Sequence, residues 1–493
     1  MEFLDPKKQR NHVILILVGY VAIGIAILFA TRLLLLESYG YGLNGDGQLI
    51  QSGIVFVSSV PSGAQIHLNN ATPDKTHARL SVVSGEYTMQ LTRTGYRSWQ
   101  RTISVDGGTV QHYDYPFLFP SKLVTTNAPD ATYDSAPGVV SQSPDLRWLL
   151  VQQPGNSGSF NEYDFNNPKL KPVVLTLPES IIGTDKTHTL EAIDWSNDNQ
   201  HLLLKDTDSD GKVSFILFDR SDPAQSVDLS TTFNVATTTM SFLNGKYNSY
   251  YLYDTTAQTL STANLGTPTV TPLLDHVLDY KPQDGDVLLY VSSEGVPSGK
   301  VAIDLFQAGK TYELRTAAAN DRYLLNLSSY AGSLFVAVGS SSENKVYVYK
   351  NPVDQLNSKA ALLVPIYVLK AKNPNYVSFS GNSRFVMSEN GSSFAVYDAE
   401  NDKGYLYDTK TALDAPQTHA TWMDGHRLQY VSAGKLVVFD FDSMNQQTLM
   451  PASPSYLPFF DPNYKFVDTF VPDVANPAQF TLTSTALRTP ADQ

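Results

Sequence analysis

The sequence predicts an all-β protein: an N-terminal transmembrane helix, a small β-sandwich, and then a large β-propeller of eight blades, with seven as the alternative. Three observations carry this. An uncharged apolar run spans Val13 to Ala30. Behind it, aromatic and β-branched residues alternate with polar ones in short runs, the pattern of half-buried strands. From about residue 130 a unit of strand, tight turn and strand recurs eight times, at the spacing of four-stranded blades.

The apolar run comes first because it decides where the rest of the chain works. At about 1.5 Å per residue its helix is about 27 Å long, and Leu33 to Leu36 extend it past a hydrocarbon core of about 30 Å. Arg32 interrupts that extension near one end, from which its side chain can snorkel to the headgroups. Lys7, Lys8 and Arg10 precede the run and favour a cytoplasmic N-terminus with the body outside. The rival reading is a cleaved signal peptide, but the run exceeds the usual apolar length and no A-x-A-like site closes it. The predicted layout is a cytoplasmic tail at 1–11, an uncleaved anchor at 12–36 and a flexible Gly-rich linker at 37–53.

Composition narrows the chemistry. Cysteine is absent, which removes disulfides, thiolate metal sites and a cysteine nucleophile. A formal charge of −13 argues against nucleic acid as a partner, since it is itself a polyanion. No H-E-x-x-H, G-x-S-x-G, P-loop or dinucleotide motif occurs, so the chain reads as no enzyme. His188, His201, His276, His419 and His426 fall at different blade positions, and Trp148, Trp195 and Trp422 read as packing between blades.

Residues 54–120 read as a small antiparallel β-domain. Ile54 to Val60 alternates as a strand and meets the turn Pro61-Ser62-Gly63-Ala64. A strand from Gln65 to Leu68 follows, closed as a hairpin by Asn69-Asn70. Strands Tyr87 to Arg93 and Trp99 to Val105 flank the Gly95-Tyr96 turn. These pieces, with S-G-E-Y-T-M-Q-L and T-G-Y in the same order, resemble the PEGA domain, a small β-sandwich of bacterial surface proteins. Ser62 stands where that family usually has glutamate, and its G-x-T-P piece survives only as Asp74-Lys75-Thr76-His77. The resemblance implies a stalk or carbohydrate-associated module without catalytic residues.

Residues 121–493 carry the repeat. Its turns are S-P-D-L-R (143–147), S-N-D-N-Q (196–200), L-N-G-K-Y (243–247), Q-D-G-D-V (283–287), Y-A-G-S-L (330–334), S-G-N-S-R (380–384), M-D-G-H-R (423–427) and D-P-N-Y-K (461–465). The intervals are 53, 48, 40, 47, 49, 44 and 38 residues, where stacked sandwiches would show no such period. Third strands are read at Val213 to Phe218, Val301 to Phe306, Lys345 to Tyr349, Gly404 to Asp408, Leu436 to Phe441 and Phe480 to Ser484. The first two turns, each followed by an apolar strand, resemble the WD40-like repeats of TolB-type propellers. Lys122 to Thr126 is an orphan strand whose pairing with the last copy would close the ring and leave no free edge.

One motif points to a metal. Asp206-Thr207-Asp208-Ser209-Asp210-Gly211 places carboxylates at alternate positions before a glycine, as calcium loops do. Asp206, Asp208, Asp210 and the Lys212 carbonyl are the candidate weak calcium ligands, with Ser214 where a further carboxylate is usual. Asp398, Glu400 and Asp402 form a looser acidic turn. The expected function is that of a single-pass cell-membrane protein binding an envelope protein or glycan outside the cytoplasm, or serving as a scaffold there. The alternative is a propeller enzyme acting on cell-wall or surface glycans.

Overall fold

The structure is a computed structural model describing residues 6–38, 40–43, 49–69, 74–235, 239–358 and 362–492. The chain divides into two compact units. The first runs to Lys122 and takes back the C-terminal residues from Arg488 on, and the second is Leu123–Leu487.

The first unit begins with helix α1, Pro6–Ser38. Its stretch Val13–Leu36 is long and apolar enough to cross a membrane and is uncovered by protein. The Thr31 hydroxyl donates to the Ile27 carbonyl at 2.8 Å, the bond a helical threonine makes one turn back along its own helix. Residues 37–53, expected as a spacer, contain strand β1, Tyr41–Leu43, and the start of β2, Leu49–Val57. Residues 44–48 of that stretch lie outside the described residues.

Strands β3 (Gln65–Leu68), β4 (Asp74–Lys75), β5 (Ala78–Val83), β6 (Gly85–Thr92), β7 (Trp99–Val105) and β8 (Val110–Tyr113) complete two four-stranded sheets. Here β2 pairs with β1, β5 and β8, whereas β3 pairs with β4 and β6. The Pro61 to Ala64 turn therefore carries the chain from one sheet to the other and closes no hairpin. Nor is the domain wholly antiparallel, because β2 and β8 run parallel. Alternate residues fill the space between the sheets: Val55, Val57, Met89, Leu91, Trp99 and Ile103 are at most 2% exposed.

The second unit opens with β9, Val124–Tyr133, and continues as eight four-stranded sheets. The first seven span residues 140–176, 188–228, 239–274, 277–318, 323–369, 376–408 and 421–451. The eighth, 459–486, has three strands of its own and takes β9 as its fourth, paired from Ala486↔Val124 to Phe480↔Tyr133 with a register shift between Thr483 and Thr481. Each predicted turn lies between the first and second strand of its sheet. Five of them place their fourth residue in the left-handed region, Leu146, Asn199, Asp286, Ser383 and Tyr464. In two, a serine side chain closes the turn: the Ser143 hydroxyl accepts the Trp148 N–H at 3.0 Å and that of Ser380 the Phe385 N–H at 3.1 Å.

Second strands read as unbroken apolar runs because both their faces are buried. Leu202 and Leu204 pack on Leu150 and Phe160 of the first sheet. Leu203, pointing the other way, packs on Tyr250 and Leu252 of the third. The same face-to-face packing continues through Leu260 and Leu288, Ile303 and Val336, Ala337 and Val386. Phe394 meets Phe439 at 5.8 Å, the Tyr464 hydroxyl donates to the Met423 carbonyl at 3.2 Å, and Phe470 and Leu482 return to Leu149 and Val151. The arrangement is propeller-like. One expected strand changes rank: Lys403–Asp408 is the fourth strand of its sheet, and the third is Ser393–Asp398. Only the short acidic turn 399–402 separates them.

Candidate functional site

The acidic hairpin is held by side chains from the segment before it. Asp206 and Asp208 lie two apart on the strand His201–Asp208, hence on one face, and Asp210 sits in the turn. The Lys186 ammonium donates to Asp208 Oδ2 at 2.8 Å and reaches Asp210 Oδ2 at 2.7 Å. Asp208 Oδ1 accepts the N–H groups of Asp210 and Lys212, both at 2.9 Å. These bonds hold the Asp208 carboxyl below its usual range, and the two carboxylates push Lys186 up.

Asp206 faces a different partner, His188, whose Nδ1 is 2.8 Å from Asp206 Oδ2. The Lys212 carbonyl accepts the Asp208 N–H at 3.0 Å. The four candidate ligands thus separate: two on an ammonium, one on an imidazole, one in the hairpin ladder. Among the described residues no group of three or more His, Asp or Glu is placed to hold a metal. In the looser acidic turn, Asp398 and Glu400 hold Arg384, and Asp402 accepts from the Tyr397 hydroxyl at 2.8 Å.

The histidines do not converge. His201 lies 2.7 Å from Asp198 and stacks on Tyr247, and His419 stacks on Tyr376. Trp195 and Trp422 each donate the indole N–H to a serine of the preceding sheet, Ser141 at 2.9 Å and Ser378 at 3.0 Å. Trp148 lies against the guanidinium groups of Arg147 and Arg220. Two carboxylates on first strands stand apart from these structural pairs. Asp194 and Asp279 are open to solvent yet so surrounded by protein that desolvation raises both pKa values, against the pull of the Lys281 charge.

A half-open concavity of about 440 Å³ lies where the seventh, eighth and first sheets meet. Its walls include Trp422, Met423, Leu457, Phe459 and Phe460, and no charged residue lines it. Such volume and lining are those of ligand pockets. The walls are fixed from behind. Gln142 donates to the carbonyls of Leu146 at 2.9 Å and Phe460 at 2.7 Å, and the Tyr456 hydroxyl donates to the Pro137 carbonyl at 2.9 Å.

Two buried polar atoms of this wall have no partner, Gln429 Oε1 and Thr421 Oγ1. Gln429 and Thr421 are directly paired across two strands, so their side chains share one face. Sequence reasoning missed the site because its walls come from three segments, 140–146, 421–429 and 455–460, the first of them far from the others in sequence.

The profile of the PEGA domain family matches residues 52–118, the first β-domain. No curated protein matches the sequence. Among solved structures, the chain is similar to Hsv2p of Kluyveromyces lactis, at 12% identity over 71% of this chain and 98% of that one, TM-score 0.38. It is also similar to an oligogalacturonate lyase from Vibrio parahaemolyticus, at 10% identity over 76% and 100%, TM-score 0.37. A third similar structure is the β-propeller domain of Cps50 (Swd1) from Myceliophteria thermophila, at 10% identity over 74% and 100%, TM-score 0.34. These likenesses carry no argument about what this chain does.

Proposed function

We propose that this chain is a bacterial single-pass membrane protein, N-terminus inside, that displays a PEGA-type sandwich and a closed eight-bladed β-propeller outside the cytoplasmic membrane to bind an envelope partner. The observation that carries this reading is the helical stretch Val13–Leu36, apolar but for Arg32 and uncovered by protein, ahead of the β-rich remainder of the chain. An uncovered apolar helix of that length needs lipid. The PEGA match and the propeller-like fold support a binding or scaffold role, and the uncharged cavity offers a place for it. The pairing of β9 with the last sheet supports ring closure.

Protease protection of intact cells tests the topology. The expected result is that externally added protease degrades the β-rich body while the N-terminal tail survives; a body cut only after the membrane is opened overturns it. Pull-down from native membranes with the full chain, run beside a glycan array, tests the binding role, which fails if neither yields a specific partner.

The alternative, an enzyme acting on glycans, has one observation behind it: Asp194 and Asp279 feel the same lysine. Glycan turnover by the full chain that is lost in Asp194→Asn and Asp279→Asn would favour it over binding; no turnover rejects it.

A further inference from the structure

We infer that the second unit rests on the bilayer that carries α1, through the connections between third and fourth strands in its first and fifth sheets. Leu170, Leu362 and Val364 enter the headgroup boundary, and Lys169, Lys171 and Lys350 meet lipid phosphates. The inference rests on the reading of Val13–Leu36 as a membrane span and adds a second membrane contact to it.

The sheets put these connections on one face. Strands of the first and fifth sheets pair antiparallel throughout, so the chain passes from third to fourth strand at the end where it turns from first to second. First turns of neighbouring sheets touch. The Asp145 N–H donates to Asn199 Oδ1 at 2.9 Å, the Asn197 N–H to the Gly245 carbonyl at 2.7 Å, and Asn244 Nδ2 to Asp286 Oδ1 at 2.9 Å. The Ser328 and Ser383 hydroxyls meet at 2.6 Å, and Tyr464 reaches Met423. The ends of the unit lie there too, since Ala486 pairs with Val124 and the Leu487 N–H donates to the Lys465 carbonyl at 2.7 Å. Both stretches of chain that lead to the first unit therefore leave from this face.

Exposure picks out two of the connections. In the first sheet Leu170 is 65% exposed between Lys169 and Lys171, and residues 165–172 include no acid. In the fifth, whose connection is the longest, Leu362 is 79% and Val364 60% exposed. Val353, Leu356 and Leu363 pack that connection onto the core of its sheet, so the alternate residues on either side of Leu363 point outward. Among the described residues, the connections of the opposite face expose Leu457 and Val474 as large apolar residues, and no lysine adjoins either.

Charge and shape decide the occupant. The chain carries −13 overall, yet lysines flank both apolar tips. Lys171 has a partner in Asp130 at 2.8 Å, but both side chains are exposed, and such a pair yields readily. An exposed leucine beside ammonium groups suits a surface with phosphates outside and an acyl boundary beneath. The first and fifth sheets are four sheets apart whichever way the packing is followed. A plane meets both tips together. A protein partner would have to span the whole face to find one or two apolar side chains at each side, far less than a stable interface buries.

The test uses the full chain reconstituted in vesicles of phosphatidylcholine and phosphatidylglycerol. Cysteine is absent from the chain, so Leu170→Cys, Leu362→Cys and, as control, Val474→Cys each give one site for an environment-sensitive fluorophore. Val474 is 99% exposed on the opposite face. Quenching by spin-labelled lipid reads contact with the bilayer, carbonate extraction reads whether α1 spans it, and the melting temperature of each variant confirms folding. The expected result is quenching at 170 and 362 and none at 474. Lys169→Glu with Lys171→Glu should weaken quenching at 362 as well, the ratio of docked to free chain falling at least about tenfold.

No quenching at 170 and 362 in chain that resists carbonate overturns the inference and leaves the membrane reading intact. Equal quenching at all three sites overturns it too, as does blue-shifted emission without quenching, which would mean that a second copy covers the tips. Quenching only by lipid in a second set of vesicles would mean that the face meets another membrane, and also overturns it. Chain released by carbonate defeats the membrane reading itself, and the inference with it.

Discussion

The Tyr96 hydroxyl donates to the Asp492 carboxylate at 2.8 Å, joining residues 396 positions apart. Tyr96 is the last residue of the T-G-Y turn that marks the first β-domain. Around the pair, the Thr489 N–H donates to the Tyr96 oxygen at 2.9 Å, and the Arg93 guanidinium pairs with the other Asp492 oxygen. Arg488 lies over the Phe117 ring at 4.8 Å. The C-terminal residues are therefore part of the first unit, and the expected span of the propeller, to residue 493, is too long at this end.

This clasp predicts that Asp492→Asn destabilises the first unit by about 1.5–3 kcal/mol, the range for a hydrogen bond to a charged group. Burial alone would raise the Asp492 pKa. The hydrogen bonds from Tyr96 and Thr489 and the charges of Arg93 and Arg488 outweigh it and hold the carboxyl below its ordinary value of 3.8. A depressed folded pKa gives stability that is present above the unfolded value and lost as pH falls through the folded one. Limited proteolysis of the full chain, followed at the 60–120 segment, should show faster cleavage in Asp492→Asn at pH 7. The difference should shrink as the pH falls below the ordinary value of 3.8 and the wild-type carboxylate becomes protonated as well.

Arg384 and Asp398 form the second test. Arg384 Nε and Nη2 meet the two Asp398 oxygens at 2.9 and 2.7 Å, and the aspartate side chain is 0% exposed. Burial pushes the Asp398 pKa up, but the hydrogen bonds and charge of Arg384 bring it below the usual value. Arg384→Met would leave that carboxylate buried without its partner, at a cost of about 3–5 kcal/mol. Arg384→Met combined with Asp398→Leu should recover much of the loss, because an apolar pair carries no desolvation penalty. Equilibrium unfolding in urea checks both; equal losses in the single and double variants would refute the argument.

That pair also marks how far the sequence could be read. The eight turns were legible because they need particular residues: small polar side chains to close them and, in seven, a left-handed position, as at Leu146, Asn199, Gly245, Gly285, Gly332, Ser383 and Tyr464. Second strands were legible from their apolar runs. The aspartates ending four third strands, Asp164, Asp219, Asp398 and Asp440, follow an aromatic residue each time, a periodic signal that went unused.

Parallel pairing of β2 with β8 leaves no mark on either strand, since it depends on what lies between them. Lys186 lies 20 residues ahead of Asp206, and nothing local ties its ammonium to the hairpin. The cavity needed the fold itself, because Gln429 reads in sequence as an ordinary residue of a buried strand.

Buried carboxylates set the pH behaviour of the second unit. Burial pushes Glu389, 0% exposed, up to about 8, against the N–H groups of Ala420 and Gly391 that bind its charged form. Asp304 and Asp468 are each pushed up to about 7, again by burial first, with Glu313 and Asp461 adding repulsion. For a carboxyl raised on folding, stability is fully present below the unfolded pKa and is lost as pH rises through the folded one. The window runs from about 4.5 to about 8 for Glu389 and from about 4 to about 7 for the two aspartates. The melting temperature of the second unit should therefore fall between pH 5 and pH 8. Glu389→Gln should flatten the upper part of that fall, and an unchanged slope would show that Glu389 does not set it.

Calcium is the last prediction, and Lys186 is its pivot. A calcium ion at the acidic hairpin has to displace an ammonium already bonded to both Asp208 and Asp210, and Asp206 has to turn from His188. Calcium loops bind with dissociation constants from about nanomolar to about millimolar, weakening as charged ligands are lost, so one whose carboxylates are pre-occupied by a lysine should show no melting shift at 1 mM calcium, about the weak end of that range. Lys186→Met removes the competitor and leaves Asp208 and Asp210 facing each other unneutralised. That variant should melt lower than the wild type without calcium and recover when calcium is added. The gain follows mass action, about 2.7 kcal/mol once the free ion exceeds its dissociation constant about a hundredfold. Magnesium separates site from screening, since its demand for a near-octahedral shell fits a flexible hairpin poorly. A wild-type shift with calcium at 1 mM would mean that the ammonium yields, and that the hairpin binds the ion as its carboxylate spacing first suggested.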